Sequence, residues 1–264
     1  MAKIAIIGGT GVYDPRILSD IIEEEIITPY GPVQYKQGKY LNQTVAFIPR
    51  HGSHHSIPPH LINYRANIWA MKKLGVTDII STTAVGSLNL AMKPGDFVLV
   101  DQFLDFTKAR TSTFYEGGNR GVVHVDMSEP YCPSLRKLVL TAGQQTGISV
   151  HPKGVYVCTE GPRFEAPAEI KAFALLGGDL VGMTNIPEVV LAREAEICYS
   201  TISMVTNYAA GISTLPLTHG EVLDTMRDNS EKIKTLIMKT IELLNPDTDC
   251  SCRHALKEFG GFKL

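Results

Sequence analysis

The sequence predicts an α/β fold with one mixed sheet, on three observations. Short apolar runs rich in Ile and Val alternate with segments of helical period along the chain. Gly, Thr, Arg-His and Asn-Tyr clusters recur just after those runs, where the loops beyond strand ends of an α/β sheet build a ligand site. The 264 residues are 44% hydrophobic and 20% charged, with no repeat, low-complexity run or linker, so a single domain is expected. It spans residues 1–246, and 247–264 read as a polar C-terminal tail.

Residues 3–7 make a first strand that ends in the tight turn Gly8-Gly9-Thr10-Gly11. Residues 44–48 form a second strand, leading into Pro49-Arg50-His51-Gly52. Leu61, Tyr64, Ile68, Trp69, Met71 and Leu74 fall at helical spacing over 60–74, with Gly75 placed to cap the helix. Asp78–Thr82 is a strand entering a hydroxyl-rich turn, Thr83-Ala84-Val85-Gly86-Ser87. Asp96–Val100, Tyr156–Thr159 and Leu180–Met183 are further strands, and Ala168–Leu176 and residues 187–197 are helical. Tyr199–Thr206 is a buried strand ending at Asn207, and His219 to Leu244 is one long amphipathic helix.

Composition narrows the function. A formal net charge of −2 implies no general attraction to nucleic acid or an anionic membrane, so any anion site must be local. No window has the length and apolarity of a membrane span, and the first apolar run is too short for a secretory leader, so a cytoplasmic protein is expected. Five cysteines do not read as a secreted disulfide framework. Cys132, Cys158 and Cys198 read as core residues. Cys250 and Cys252 read as free thiols of a mobile tail, with a cross-link as the alternative.

Several clusters carry chemistry. Gly8-Gly9-Thr10-Gly11 departs from the dinucleotide fingerprint, because position 14 is Asp and Pro15 follows, yet a backbone nest with the Thr10 hydroxyl can hold one phosphate. Arg50 offers a planar fork that matches phosphate oxygens, and it follows a strand expected to be buried. In Thr159-Glu160-Gly161-Pro162-Arg163-Phe164-Glu165 an aromatic face stands beside a carboxylate, a pairing that suits a purine. Glu165 also reads as a helix N-terminal carboxylate, Asn207 as a turn-former, and His219 as a residue near a helix cap.

Taken jointly, these stretches resemble the trimeric purine nucleoside phosphorylase and methylthioadenosine phosphorylase family. The resemblance rests on Ile6-Ile7-Gly8-Gly9-Thr10-Gly11, Pro49-Arg50-His51-Gly52, Asn63-Tyr64-Arg65-Ala66-Asn67-Ile68-Trp69-Ala70 and Thr82 to Ser87. It extends through Met127-Ser128-Glu129-Pro130-Tyr131-Cys132, Glu160 to Phe164, and Gly182-Met183-Thr184 with Pro187-Glu188-Val189. It implies a mixed sheet forming a distorted barrel flanked by helices, and a homotrimer that is sometimes doubled to a hexamer. It also implies phosphorolysis of a nucleoside, with inorganic phosphate as co-substrate and no metal or cofactor. The phosphate site carried over is Thr10, Arg50, His51, Thr83, Ala84 and Thr184. Met183 would lie by the ribose and Phe164 by the base, and His124 resembles the residue that the family donates to a neighbour's ribose pocket.

The overall sequence resembles the methylthioadenosine branch most closely, but three positions depart from it. Asn207-Tyr208-Ala209 stands where that branch has Asp-Tyr-Asp, Glu165 where it has a small Ser, and His219 where it has an apolar residue. All three resemble the purine nucleoside phosphorylase branch. An ionised carboxylate only accepts hydrogen bonds, so Glu165 favours the N1–H of a 6-oxopurine over the N1 lone pair of adenine. Asn207 would stabilise the departing base, and an imidazole at 219 would bind a 5′-hydroxyl. The expected substrates are therefore inosine and guanosine, with methylthioinosine or methylthioadenosine as the alternative.

Overall fold

A computed structural model describes residues 2–8, 18–52, 56–212 and 219–263. Its strands are β1 (Ile4–Gly8), β2 (Ser19–Thr28), β3 (Gly31–Tyr40), β4 (Gln43–Pro49), β5 (Asp78–Ser87), β6 (Phe97–Leu99), β7 (Gln102–Phe106), β8 (Val150–His151), β9 (Val155–Thr159), β10 (Leu180–Gly182) and β11 (Cys198–Tyr208). Its helices are α1 (Tyr64–Lys73), α2 (Pro133–Thr146), α3 (Pro167–Leu175), α4 (Asn185–Glu194) and α5 (His219–Leu243).

β1 is buried at every position. Ile4 and Ile6 join one core, Ala5 and Ile7 the other, so the two-residue period of a strand puts apolar side chains on both faces. Parallel neighbours flank it, with Ile6 opposite Phe47 of β4 and Ile80 of β5. Helices α1 and α4 cover the face of Ala5 and Ile7, whereas α2 and α5 cover the face of Ile4 and Ile6.

The sheet forks at β5. Its first half pairs with β1, its whole length runs parallel to β11, and its end at Gly86 and Ser87 meets β10 antiparallel. From there β9 and β7 continue one arm, and β6 and β8 extend from β11 as the other. The result is the expected mixed sheet flanked by helices. Thr83 to Ser87 is therefore strand, not the turn expected, and Asn207 lies within β11, not after it.

The hairpin of β2 and β3, the strand β7 and the helix α2 have no counterpart in the elements expected from periodicity. α1 is shorter than expected, because a 3-10 turn occupies Pro59–Leu61 and Asn63 accepts from the Ala66 N–H to start the helix. Gly75 does end it, in the left-handed region at φ 85°.

The C-terminal residues pack against the body and do not form a loose polar tail. Leu256 and Cys252 are buried, and Phe262 sits edge-on to Phe114 at 5.2 Å. The cysteine reading changes with it. Cys132, Cys198, Cys250 and Cys252 bring their sulfur atoms within 4.8 Å of one another. Among the described residues this is the one group of acidic, His or Cys side chains whose spacing could hold a metal ion.

Candidate active site

A cavity of about 380 Å³ opens where the C-terminal ends of β4, β9 and β10 meet the second half of β5 and the end of β11. That volume suits a ligand of nucleoside size. Ten of the residues singled out from sequence line it: Arg50, His51, Thr83, Ala84, Phe164, Glu165, Met183, Thr184, Asn207 and Ala209. Tyr208 does not line it. His124 is exposed and does not line this cavity of its own chain. Thr10 and the side chain of His219 lie outside the described residues.

Arg50 stands at the end of β4 with its side chain wholly buried. Its Nε and Nη2 donate to Glu188 at 2.7 and 2.8 Å, Nη2 also reaches Ser81 at 2.6 Å, and Nη1 donates to the Thr82 carbonyl at 2.9 Å. Glu188 further accepts from the hydroxyls of Tyr199 and Ser81. Burial acts against the Arg50 charge, but the Glu188 carboxylate outweighs it and holds the guanidinium well above its usual range. Arg50 is thus a clamped donor, not a loose fork. Arg50 also lines the cavity.

Other polar groups surround that point. The His51 Nδ1 pairs with the Ile57 carbonyl at 2.8 Å, which fixes the ring. Thr83 shares a 2.8 Å hydrogen bond with Ser203. Thr184 precedes α4 and its hydroxyl makes no capping bond, and because Ile186 is non-helical at φ −107° and ψ 131° the regular helix begins at Pro187. Asn185 beside it is held by Tyr131 and Thr201. A helix N-terminus with buried donors around it suits an anion.

Glu165 and Asn207 bring recognition groups to the same cavity. Thr159 donates to Glu165 at 2.6 Å and steadies its carboxylate. Phe164 next to it is 46% exposed, an aromatic face without full cover. Asn207 owes its aim to a bulge in β11. Val205 pairs with Val85 and Asn207 with Gly86, so Thr206 is the extra residue and the alternation resets after it. Thr206 donates to the side-chain Oδ1 of Asn207 at 2.8 Å, and the Asn207 Nδ2 donates to the Tyr208 carbonyl at 2.9 Å. One amide hydrogen then remains, and the cavity is beside it. Gly86 makes room, since a Cβ there would stand 3.2 Å from that nitrogen.

Sequence reasoning missed the support beneath this site. In the sequence Glu188 is one residue of the Pro187-Glu188-Val189 stretch, and Ser81 and Tyr199 are strand residues with no mark of a role. The missed lining includes Ile57, Pro59, Pro162 and Val222. A Glu at the fourth place after the Gly-Met-Thr turn, facing an apolar helix surface, was the available signal.

The model of the phosphorylase superfamily matches residues 3–242. A protein of Dictyoglomus turgidum described as a probable 6-oxopurine nucleoside phosphorylase is 56% identical, over 97% of each chain. The 6-oxopurine nucleoside phosphorylase of Pyrococcus furiosus is 54% identical, over 97% of this chain and 98% of that one. The S-methyl-5′-thioadenosine phosphorylase of Thermofilum pendens is 49% identical, over 97% of each. Identity is thus higher to these two 6-oxopurine proteins, against the expectation of an overall methylthioadenosine-branch sequence. Methylthioadenosine phosphorylase from Schistosoma mansoni, solved with adenine, superposes with a TM-score of 0.92 at 33% identity, over 98% of this chain and 97% of that one.

Proposed function

This chain belongs to the phosphorylase superfamily, and on that premise we propose that it cleaves 6-oxopurine nucleosides with phosphate, giving free base and ribose 1-phosphate. The observation that carries the reading is the joint presence of Glu165 and Asn207 in the cavity that also holds the Arg50 and Thr184 groups. The acceptor-only carboxylate takes the N1–H of hypoxanthine or guanine, and guanine's exocyclic amine gives it a second donor. The free Asn207 N–H meets N7 and stabilises the charge that develops there as the base leaves.

Phosphate is held by Arg50, His51, the Thr83 and Ala84 region and Thr184, with Thr10 assigned by resemblance. It attacks C1′ as the glycosidic bond loosens, and its negative charge stabilises the oxocarbenium character of the transition state. The carbon–nitrogen bond breaks with its electron pair going to the purine, and a carbon–oxygen bond forms to phosphate. No metal or organic cofactor enters this scheme. The enzyme acts in the cytoplasm as a homotrimer, alone or paired as a hexamer, with His124 reaching a neighbour's ribose. The exposure of His124 supports that assignment.

A second reading, S-methyl-5′-thioinosine or S-methyl-5′-thioadenosine as substrate, draws support from Ile57 and Val222, apolar side chains that also line the cavity. Release of base from inosine, guanosine, adenosine and the two methylthio nucleosides, measured with and without phosphate, tests both. Inosine and guanosine cleaved only with phosphate are expected. Base release that ignores phosphate overturns the phosphorylase reading, and equal turnover of adenosine overturns the role of Glu165.

A further inference from the structure

Arg110 belongs to no part of the scheme above, yet its side chain is only 2% exposed. A buried guanidinium is costly unless its donors are met. Here they are met by the backbone of two segments that carry the site. Nη2 donates to the carbonyls of Thr159 and Glu160 at 3.2 and 2.8 Å. Nη1 donates to the carbonyl of Ile186 at 2.6 Å, near the start of α4, and to the Tyr64 hydroxyl at 3.2 Å. Tyr64 in turn donates to the carbonyl of Pro59, a cavity wall residue. Nε has no hydrogen-bond partner, and the nearest carboxylate, Glu160, stands 3.7 Å from it. That carboxylate is engaged elsewhere, accepting from the Lys108 N–H at 2.7 Å.

We propose that Arg110 is a positioning residue for purine recognition, holding residues 159–165 at the height where Glu165 meets the base. The two segments it bridges are not equally dependent on it. The start of α4 has anchors of its own, through Asn185 to Tyr131 and Thr201 and through Glu188 to Arg50. The 159–165 segment is fixed at its two ends, where Thr159 pairs with Phe106 of β7 and Arg163 donates to Glu169. Between those points the Thr159 and Glu160 carbonyls take the Arg110 guanidinium, the Glu160 carboxylate takes the Lys108 N–H, and the Thr159 hydroxyl steadies Glu165. Gly161 lies close to Met183, since a Cβ there would lie 2.6 Å from the Met183 sulfur. Loss of the two carbonyl bonds therefore lets the turn over 160–164 shift, and Glu165 with it, while the anion side stays in place. A lysine at 110 presents one nitrogen and cannot span three carbonyls on two segments.

The inference rests on the reading of Glu165 as the base acceptor, so it is tested first by binding, apart from turnover. Hypoxanthine and adenine are titrated calorimetrically into wild type, Arg110→Met and Arg110→Lys, in the presence of phosphate. A displacement of about 1 Å at a positioned group costs on the order of 100-fold. Hypoxanthine affinity is expected to fall about that far in Arg110→Met and about tenfold in Arg110→Lys, with adenine affinity nearly unchanged. The KM for phosphate, measured by inosine phosphorolysis, is expected to stay within about threefold of wild type, because the anion side has its own anchors. Unaltered hypoxanthine affinity in folded variants, or equal losses for hypoxanthine and phosphate, overturns the proposal. Should Arg110→Met not fold, Arg110→Lys carries the test alone. A wild type that binds hypoxanthine over adenine yet cleaves no nucleoside overturns the proposed function and leaves the Arg110 assignment standing on the binding data.

Discussion

Glu188 accepts from both Nε and Nη2 of Arg50, at 2.7 and 2.8 Å, and solvent reaches neither side chain. The pair joins β4 to α4 and so joins two walls of the cavity. Removing one partner of a buried pair leaves an uncompensated charge, which costs about 3–5 kcal/mol. Glu188→Gln turns an amide N–H₂ toward the guanidinium and frees it to rotate. Thermal unfolding is expected to shift down by roughly 10 °C for that cost, and the KM for phosphate to rise on the order of tenfold. Tyr199→Phe is the control. It removes one donor to Glu188, costs about 1–3 kcal/mol, and leaves the phosphate KM near wild type.

Glu165→Gln replaces an acceptor with a group that also donates. A site built to pair a substrate N–H rejects the analogue lacking it by up to about 10⁴-fold, because its polar group is left unmatched. The variant is expected to lose about 100-fold in kcat/KM for inosine and to gain on adenosine. Thr159 can still donate to the Gln oxygen, so folding is little changed. The ratio of the two specificity constants is the measurement, and an unchanged ratio removes Glu165 from base recognition.

The proposed function has Asn207 act on the leaving base and not on phosphate, so Asn207→Ala is expected to lower kcat by about 10²–10³, the cost of one donor to developing charge. The Kd for phosphate should hold.

Why the sequence showed some of this and hid the rest follows from particular residues. β1, β4 and β11 are buried on both faces, so they read as apolar runs. β2 is exposed along most of its length and carries Glu23, Glu24 and Glu25 in a row, so no apolar period marks it. The second half of β5 is Thr, Ala, Val and Gly, small residues that resemble a turn until β11 pairs with them. In the site, Arg50 and Asn207 were visible because each sits at a strand end with an obvious chemistry, and Glu165 because it stands beside an aromatic ring in a Gly-Pro turn just before α3. Glu188 and Arg110 were not, because their meaning comes from partners far along the chain, 138 residues away for the pair of Glu188 and Arg50. The cysteines fail for the same reason. Cys132 and Cys250 lie 118 residues apart, and their sulfur atoms are 3.6 Å apart in space.

Glu169 gives a pH prediction. Arg163 donates to both its oxygens and the Ala166 N–H to one, which lowers its carboxyl from the ordinary 4.5 to about 2. A carboxyl depressed in the folded state contributes stability above its unfolded pKa, and that contribution is lost as pH falls through the folded pKa. The stability gap between wild type and Glu169→Gln is therefore expected to be constant above about pH 5 and to close as the pH falls toward 2. Denaturant unfolding at a series of pH values measures it. A gap that stays constant down to pH 2 would mean that the carboxylate contributes nothing through its charge.

Glu196 sits in the left-handed region at φ 56°, where a residue with a Cβ is disfavoured by roughly 1–2 kcal/mol. Its carboxylate accounts for its presence. Oε1 accepts the Leu256 N–H at 3.0 Å and Oε2 the Phe262 N–H at 3.1 Å, so one side chain pins two points of the C-terminal segment to the body. Hydrogen bonds to a charged group contribute about 1.5–3 kcal/mol each. Glu196→Gly relieves the backbone but loses both bonds, and the balance is a net loss of about 1–5 kcal/mol. Glu196→Gln keeps one acceptor and the backbone penalty, and falls between. Hydrogen exchange should show the Leu256 and Phe262 amides losing protection in Glu196→Gly while those of β1 keep theirs. Were β1 to open equally, Glu196 would be supporting the whole domain and not the docking of its C-terminal segment.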